Sequence, residues 1–412
     1  MIQLSLPVFL GHLIMILHIG NNLKFLRPVV ANFETVAPGL NRVWFCGQIP
    51  PSPPLGAPNM CRTISRRWWL SPFYPWPPEL KQAKFVVLHS MTPLARLAVP
   101  RLRCPVLWIG YGSDYYPLIC RNDDDLLLPL TQAARQSALL SHAPHPSVAQ
   151  WLKQALGSAG RRLLRYTPDT QGLCQMIANR RITYFSPRLE SEYSLARANC
   201  PTAYFPPYVR IGIGVTSATR PPSHLLQDLG NDILIGNSAS WTNNHLDIFA
   251  LLQRILPQNQ FKLVTPLSYG SSEVRQLVIT VGQARFGKDF VPLNDYLPLA
   301  QYWRLIQSCG YIIMNHLRQQ AYGNIAMGLY IGAKVFLDER NPLYTYLVGE
   351  GYHLSTIQQL SAQGLTCLTP LREEEKDANR RLAARTSLDK IVAQTASVIR
   401  QACPDLSPHL VV

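Results

Sequence analysis

The stretch Ile233-Leu-Ile-Gly-Asn-Ser-Ala-Ser-Trp-Thr-Asn-Asn-His-Leu-Asp247 decides the fold of the second half of this chain. Its first four residues predict a short buried strand, and a small polar loop leads from there into a helix over residues 243–256. Thr242 or Asn243 marks the helix start, since both are good N-caps. Such a loop and helix end suit a phosphate, but no glycine-rich fingerprint is present, and the same connection is ordinary in α/β proteins.

The next strands of the second half are predicted at residues 261–265, 311–314 and 334–337, with a helix at 323–331. A dense polar cluster follows the strand at 311–314. Arg318 can pair with an anionic diphosphate, and the nearby amide side chains both donate and accept, as sugar hydroxyls require. The alternative is a polar surface loop with a solvated Arg318. The cluster comprises Asn315, His316, Arg318, Gln319 and Gln320.

The first half alternates short apolar runs with helix-length segments, which predicts a parallel sheet covered on both faces. Its strands are predicted at 16–19, 42–46, 85–89, 106–109, 182–185 and 203–205. Several end at polar or glycine residues, and ligands of such sheets bind beyond the carboxyl ends of the strands. We therefore predict two doubly wound domains. Residues 1–14 are an extension or an over-long start, 15–210 the first domain, 211–232 a linker, 233–375 the second domain, and 376–412 a helical segment.

The composition is that of a folded protein, with 412 residues, 47% of them hydrophobic and 15% charged. The charge is uneven: residues 1–210 hold 22 Lys and Arg against 9 Asp and Glu, whereas residues 211–412 hold 17 against 15. A basic first half indicates an anionic partner, either nucleic acid, phospholipid head groups or a phosphorylated substrate. The apolar run at residues 4–19 is interrupted and short for a membrane span, and it lacks the features of a signal peptide.

Nine scattered cysteines without a C-x-x-C pair predict neither a zinc site nor a disulfide framework, which favours a reducing compartment. Residues 62–76 mix Arg with Trp and Tyr, as expected of a lipid interface. The same mixture is compatible with stacking on single-stranded nucleic acid or with a Pro-rich loop packed on the domain. We favour the membrane, because no nucleic-acid-binding motif occurs elsewhere.

A family resemblance unites these segments. The order LIGNSASWTNNHLD, LVTPLSYG and MNHLRQQAYGNIAMGLYIGAKVFLDERNP resembles the TDP-N-acetylfucosamine:lipid II N-acetylfucosaminyltransferases of enterobacterial common antigen synthesis. The first half agrees more weakly, through LHIG, FVVLHS, VLWIGYGSDYY and YFPP. The resemblance implies a GT-B glycosyltransferase with two Rossmann-like domains facing across a cleft. The second domain would bind a TDP-sugar and the first a polyprenyl-diphosphate-linked saccharide, at the cytoplasmic face of the inner membrane.

The resemblance also implies donor-side residues. Those that match the three family loops are Gly236, Asn237, Ser238, Asn243, His245, Tyr269, Gly270, Gln319, Gln320 and Gly323, to which we add Arg318 from the polar cluster and Asn324 at the start of the following helix. The chain departs from the family in the Asn-His-Leu-Arg sequence before Gln319 and at Ala321, where the family usually has glycine. The donor sugar is therefore N-acetylfucosamine or a different deoxyamino sugar.

On the acceptor side, His89 and Asp114 match family positions at strand ends. An inverting transferase needs a base near the acceptor hydroxyl, and either side chain is a candidate. The alternatives are a helix cap for Asp114 and a structural hydrogen bond for His89. His18 and Gly20 are expected to line the same cleft.

The D-x-D sequence within residues 122–125 is a metal-diphosphate signature of the other large glycosyltransferase fold. Because it directly precedes a helical stretch, we interpret it as the cap of that helix. We therefore predict no metal and no cofactor.

Overall fold

The computed structural model describes residues 15–46, 61–63, 80, 82–92, 95, 99–120, 123–141, 180–200, 204–212, 229–385 and 388–412. The predicted extension at 1–14, most of the aromatic and basic segment at 62–76, and residues 213–228 of the predicted linker lie outside them. The chain groups into two compact units. The first contains the described residues between 15 and 115, 180 and 212, and 389 and 412; the second contains those between 116 and 141 and between 229 and 388.

Each unit contains one six-stranded, wholly parallel sheet. The first sheet consists of β1 (Met15–Gly20), β2 (Asn41–Phe45), β3 (Cys61–Thr63), β4 (Ala83–His89), β5 (Val106–Ile109) and β6 (Tyr184–Ser186). The second consists of β7 (Ile233–Ile235), β8 (Leu263–Pro266), β9 (Phe290–Leu293), β10 (Tyr311–Met314), β11 (Lys334–Leu337) and β12 (Ser355–Thr356).

The described α-helices, in chain order, are α1 (Leu23–Val36), α2 (Pro129–Ser141), α3 (Glu190–Asn199), α4 (His245–Ile255), α5 (Ser272–Phe286), α6 (Leu299–Ser308), α7 (Tyr322–Ile331), α8 (Pro342–Gly349), α9 (Ile357–Gln363), α10 (Glu373–Ala384) and α11 (Leu388–Ala402). The predicted helices at 243–256 and 323–331 correspond to α4 and α7. No described helix combines the length and the apolar composition that a membrane crossing requires.

Both sheets have the strand order of a Rossmann fold. The orders are β3-β2-β1-β4-β5-β6 and, read from the opposite edge, β9-β8-β7-β10-β11-β12, and both are 3-2-1-4-5-6 when each sheet is numbered from its own first strand. The order therefore reverses between β1 and β4 in the first sheet and between β7 and β10 in the second. The predicted α/β class with two Rossmann-like sheets is confirmed. At such a reversal the connections leave in opposite directions, which opens a crevice at the carboxyl ends of the central strands.

Burial explains why the apolar runs form central strands. All six residues of β1 are buried, as are β5, β7 and β10 throughout. A strand that is covered on both faces does not alternate apolar and polar residues, and the sequence predicted such strands. The predicted strand at 203–205 is wrong: residues 204–207 are irregular, and contact with β6 is a single bridge between Tyr208 and Phe185.

The C-terminal helix α11 completes the first unit. Val392, Ala396 and Ile399 on its inner face are buried in one apolar cluster with Phe33 of α1 and Phe85 of β4. The final residues continue this contact, since the Val411 N–H donates to the carbonyl oxygen of Val36 over 3.0 Å. The end of the chain therefore packs against elements from its beginning.

Candidate functional site

The donor-side residues converge at the point where the second sheet reverses its strand order. The loop after β7 and the loop after β10 leave adjacent strands, and the Gly236 N–H donates to the Ile313 carbonyl over 3.0 Å. The loop after β8 joins them, because Ala239 and Gly270 form a parallel bridge. A side chain at Gly270 is excluded, since its Cβ would lie 2.2 Å from the Ala239 oxygen. The three loops named by the sequence thus form one cluster.

A buried amide, Asn243, holds this cluster together. Its Nδ2 donates to the Ser238 carbonyl and to Ser240 Oγ, both over 2.9 Å. Its Oδ1 accepts from the Asn237 N–H over 2.9 Å and faces His316 Nε2 at 2.8 Å. An amide oxygen only accepts, so His316 carries its proton on Nε2. Asn243 therefore fixes the shape of the first loop and the orientation of a side chain from the third.

The sequence predicts that backbone N–H groups of the first loop are open to a phosphate, but most of them are already used. Six of them already donate inside the protein, those of Gly236, Asn237, Ala239, Ser240, Asn243 and Asn244. The helix start also differs: residues 241–243 form a 3-10 turn, and Asn244, in the left-handed conformation at φ 51°, precedes α4. The predicted cap at Thr242 or Asn243 is therefore wrong. These six N–H groups are therefore not open to a phosphate.

Polar side chains from all three loops form one hydrogen-bonded network. Asn237 Nδ2 donates to Tyr269 Oη over 2.6 Å, and Gln320 Nε2 donates to Asn237 Oδ1 over 2.8 Å. On its other side, Gln320 Oε1 accepts from Thr242 Oγ1 over 2.7 Å. Each loop therefore contributes a polar group to the same surface, where Tyr269 is 41% exposed.

Arg318 and Gln319 occupy the tip of the third loop. The guanidinium carbon of Arg318 lies 5.5 Å from the centre of the Tyr116 ring, and the Gln319 N–H donates to Tyr116 Oη over 2.9 Å. Tyr116 belongs to the second unit with both residues. A cation over an aromatic face is attracted by the ring and is held in place. The Arg318 guanidinium is thereby positioned beside the network rather than solvated at random.

The start of α7 leaves space beside the third loop. A side chain at Gly323 would meet nothing within 4 Å, which marks open volume at this turn. Asn324, one residue further on, hydrogen-bonds the hydroxyl of Tyr302. Burial raises the pKa of Tyr302, and the Asn324 bond only partly opposes this. Tyr302 is a neighbour of the site that the sequence did not reveal.

Two buried histidines lie beneath these loops. Burial lowers the pKa of His245 to about 3 and that of His316 well below its ordinary value, so both rings are neutral near pH 7. His245 Nε2 would lie 2.7 Å from a Cβ at Gly236, whose φ is +67°. His245 was predicted to bind the donor directly. It is 2% exposed, and its direct contact with the donor stays a prediction.

The D-x-D segment does not cap α2, contrary to the prediction. Residues Asp123–Leu126 form a 3-10 turn, and Asp124 pairs with Arg135. The N-terminus of α2 is instead capped by Asp247 of α4, whose carboxylate accepts from the Leu130 and Thr131 N–H groups over 2.9 and 3.0 Å.

The predicted acceptor-side residues lie in the first unit at the corresponding reversal. His18 lies in β1 two residues before its end and His89 ends β4, and His18 Nδ1 lies 3.0 Å from His89 Nε2. Burial lowers the pKa of His18 to about 4, partly opposed by the Asn41 hydrogen bond, and burial, with His18 as a neighbour, lowers the pKa of His89 well below its ordinary value. Gly20 must lack a side chain, because a Cβ there would lie 2.6 Å from Leu26 and 3.0 Å from His89.

Asp114 is 6% exposed and accepts three hydrogen bonds. Its Oδ2 accepts from the Met91 N–H over 2.9 Å and from Trp108 Nε1 over 2.7 Å, and its Oδ1 accepts from the Tyr111 N–H over 2.9 Å. This carboxylate ties the loops after β4 and β5 together. The geometry gives it a structural task, and its role as the catalytic base stays a prediction.

Residues 174–365 match a family model described as 4-alpha-L-fucosyltransferase, glycosyl transferase group 56. The match spans β6 through α9 and includes every loop of the donor-side cluster, and it confirms the resemblance over these residues. The protein is a glycosyltransferase. No curated protein sequence matches it.

Solved structures similar to this glycosyltransferase show its fold. Anabaena HepE, solved with UDP and glucose, has a TM-score of 0.60 at 10% identity, covering 94% of this chain and 99% of that one. Sucrose-phosphate synthase from Thermosynechococcus elongatus has a TM-score of 0.60 at 11% identity, covering 94% and 98%. The trehalose-6-phosphate phosphatase N-terminal domain of Candida albicans has 0.57 at 9%, covering 99% of each chain. At these identities the likeness establishes the GT-B fold alone.

Gly236 provides the first test of the loop geometry. Replacing Gly236 with Ala places a Cβ 2.7 Å from both Asn243 Oδ1 and His245 Nε2, on a backbone at φ +67°. We expect the unfolding free energy to fall by about 3 kcal/mol, since clash adds to backbone strain. Gly351→Ala is the matched control: its φ is +90° but its nearest neighbour is 3.8 Å away, so we expect a loss of about 1 kcal/mol. Equal losses in urea unfolding would contradict the account.

Ala321 provides the second test. It has φ 59° and ψ 22° immediately before α7, a conformation that costs an L-residue about 1 kcal/mol relative to glycine. Ala321→Gly should therefore raise the unfolding free energy by about 1 kcal/mol. Ala326→Gly, inside the same helix, should lower it by about 1 kcal/mol. If both substitutions destabilise the protein in denaturant titrations, the conformation assigned to Ala321 is wrong.

Proposed function

We propose that this glycosyltransferase moves a deoxyamino sugar, N-acetylfucosamine, from a TDP donor to a polyprenyl-diphosphate-linked saccharide. The observation that carries the proposal is the network of Asn237, Tyr269 and Gln320 beside Arg318, at the strand reversal of the second sheet. The group 56 match over the same loops supports a 6-deoxy sugar of the fucose type. The reaction would serve the synthesis of a bacterial surface polysaccharide related to enterobacterial common antigen.

The side chains have the chemistry that a nucleotide-sugar needs. A guanidinium forms paired, charge-assisted hydrogen bonds with a diphosphate, which gains negative charge as the sugar departs. Arg318 is the cation at the tip of the third loop, so we assign it to the diphosphate. Amide groups bind sugar hydroxyls and an N-acetyl group from both their donor and acceptor ends. Asn237, Gln320 and Asn324 are assigned to the sugar. The UDP and glucose bound by HepE support a nucleotide-sugar as the donor class.

The first unit is assigned to the acceptor, and the charge of the chain supports this. Residues 1–210 hold 22 Lys and Arg against 9 Asp and Glu, an excess that attracts anionic head groups and a lipid diphosphate. We propose peripheral attachment at the cytoplasmic face of the inner membrane, where such a lipid-linked saccharide is presented. His18 and His89, at the strand reversal of this unit, are assigned to the acceptor side.

Two alternatives follow from the same features. One is a GT-B transferase with another nucleotide-sugar or acceptor, as in capsule or O-antigen assembly, which would use the same network. It is supported by Ala321, which stands where the family usually has glycine. The other, a lectin-like protein that binds lipid or saccharide without turnover, is compatible with the sequence alone and would leave the donor side unused, and the group 56 match argues against it. The donor is thus the discriminating ligand.

The proposal is tested by nucleotide binding to the whole protein. TDP, UDP and GDP are added in calorimetry and thermal shift, followed by the corresponding nucleotide-sugars. We expect TDP to bind best, and Arg318→Ala to weaken it at least about tenfold through the lost charge-assisted pair. Arg381→Ala, an equal loss of charge at an exposed position of α10, should leave TDP binding unchanged.

The opposite results are equally informative. Tighter binding of UDP or GDP than of TDP would replace the proposed donor but keep the site, provided that Arg318→Ala still weakens it. Absence of binding by any nucleotide to folded wild-type protein would overturn the transferase mechanism proposed for this site. An equal effect of Arg381→Ala would show a general charge effect and would remove Arg318 from the site.

A further inference from the structure

A chain of hydrogen bonds crosses the strand reversal of the first sheet, and its direction is fixed at one end. Asn41 Nδ2 donates to Glu34 Oε2 over 2.7 Å and to the Ala37 carbonyl over 2.8 Å. A carboxylate and a carbonyl only accept, so the amide can face them only with its nitrogen. Asn41 Oδ1 must then point at His18 Nε2, 3.1 Å away.

The amide sets the proton positions of both histidines. Because Asn41 Oδ1 accepts, the His18 proton is on Nε2 and its Nδ1 is the acceptor. His18 Nδ1 lies 3.0 Å from His89 Nε2, which must therefore carry the His89 proton. His89 Nδ1 is then an acceptor as well, and it lies 3.1 Å from Tyr111 Oη. The low pKa values of both rings keep them neutral, so the direction holds near pH 7.

This sequence of donors and acceptors determines where the hydroxyl proton of Tyr111 points. Burial, with the Asp114 charge nearby, raises the pKa of Tyr111, so the hydroxyl remains protonated. It donates to His89 Nδ1, since the Phe25 carbonyl, the alternative acceptor among the described residues, is more distant at 3.5 Å. The lone pairs of Tyr111 Oη are left to accept from a donor outside the chain of hydrogen bonds.

The Tyr111 ring also forms part of an aromatic surface. It stacks on Phe25 with ring centres 4.5 Å apart and an interplanar angle of 24°. Phe25 is 37% exposed and Tyr111 is partly exposed. The pair lies at the carboxyl ends of β1 and β5, where a doubly wound sheet binds its ligand. The residue after His89, Ser90, has a φ of 78°, and such strained backbone clusters at functional sites.

We propose that Phe25 and Tyr111 form a saccharide subsite in the first unit, in which a sugar ring packs on the aromatic pair and one of its hydroxyls donates to Tyr111 Oη. The C–H face of a pyranose is apolar and suits an aromatic ring, while its hydroxyls supply the donor. His89, His18 and Asn41 are positioning residues that keep Tyr111 Oη an acceptor. The subsite rests on the proposed assignment of this unit to the acceptor and names two residues that would touch it.

The hydrogen-bond order is tested by nitrogen NMR of the imidazole rings in the whole protein. At pH 6.5 we expect His18 and His89 to be neutral, with protonated Nε2 and bare Nδ1. In Asn41→Leu, which removes the amide that sets the order, the His18 tautomer should no longer be fixed. An imidazolium, or an Nδ1-protonated ring at either position in the wild type, would overturn the proposal. Where Leu prevents folding, the wild-type spectrum still decides the test, because it reports both tautomers directly.

The subsite itself is tested by saturation-transfer NMR with four probes, glucose, galactose, N-acetylglucosamine and N-acetylmannosamine, at about 20 mM, because single sugars bind in the millimolar range. At least one should receive saturation from the aromatic protons. Tyr111→Phe, which keeps the ring and removes the hydroxyl, should weaken that sugar about fivefold. Phe25→Ala should weaken it at least as much.

Tyr204→Phe is the matched control, since this exposed tyrosine donates to the Ile182 carbonyl before the amino end of β6, whereas Tyr111 lies beyond the carboxyl end of β5. Saturation of none of the four sugars, or equal effects of Tyr204→Phe and Tyr111→Phe, would overturn the subsite.

TDP affinity is measured on the same samples and should be unchanged by both variants. A wild type that binds a sugar at Tyr111 but no nucleotide would refute the proposed function and keep the subsite; the reverse would refute only the subsite.

Discussion

Each candidate site depends on one buried asparagine side chain. Its amide must satisfy both N–H donors and its oxygen acceptor at the same time. Asn243 in the second unit directs its nitrogen at Ser238 and Ser240, which leaves its oxygen for His316. Asn41 in the first unit directs its nitrogen at Glu34 and Ala37, which leaves its oxygen for His18. An unsatisfied buried polar group costs about 1–3 kcal/mol, so each amide has one stable orientation. Each unit thus has a histidine whose tautomer is set by an asparagine.

The strand order explains why Asn243 is found where it is, whereas Asn41 begins β2 and is connected to the reversal through His18. At the reversal between the first and fourth strands of each sheet, two connections diverge, and the ends of the central strands are left for side chains to cover. Apolar side chains would close this crevice. Polar ones keep it usable, provided that every hydrogen bond is satisfied. In the second unit the resulting surface presents Asn237, Tyr269 and Gln320 from three different loops, which supports its assignment to a nucleotide-sugar.

The sequence predicted the features that local pattern determines. Unbroken apolar runs such as that of β7 identified central strands, and the family resemblance identified the three loops. It did not predict contacts between distant segments. The cap of α2 comes from Asp247, 117 residues from Leu130, so the nearby D-x-D appeared to be the cap. Thr242 was predicted to cap a helix, yet its hydroxyl donates to Gln320. The short strands β3 and β12 carry too few residues for a pattern, and Tyr111 acquires its role only through the orientation of Asn41.

The most direct test of the account is a crystal structure of the protein with TDP. The account predicts TDP density at the carboxyl ends of β7 and β10, with the diphosphate within hydrogen-bond distance of the Arg318 guanidinium and polar atoms of Asn237 or Gln320. Density at the carboxyl ends of β1 and β4 instead, beside His18 and His89, would contradict the assignment of the donor to the second unit. Density at β7 and β10 with the diphosphate remote from Arg318 would contradict the role given to that residue.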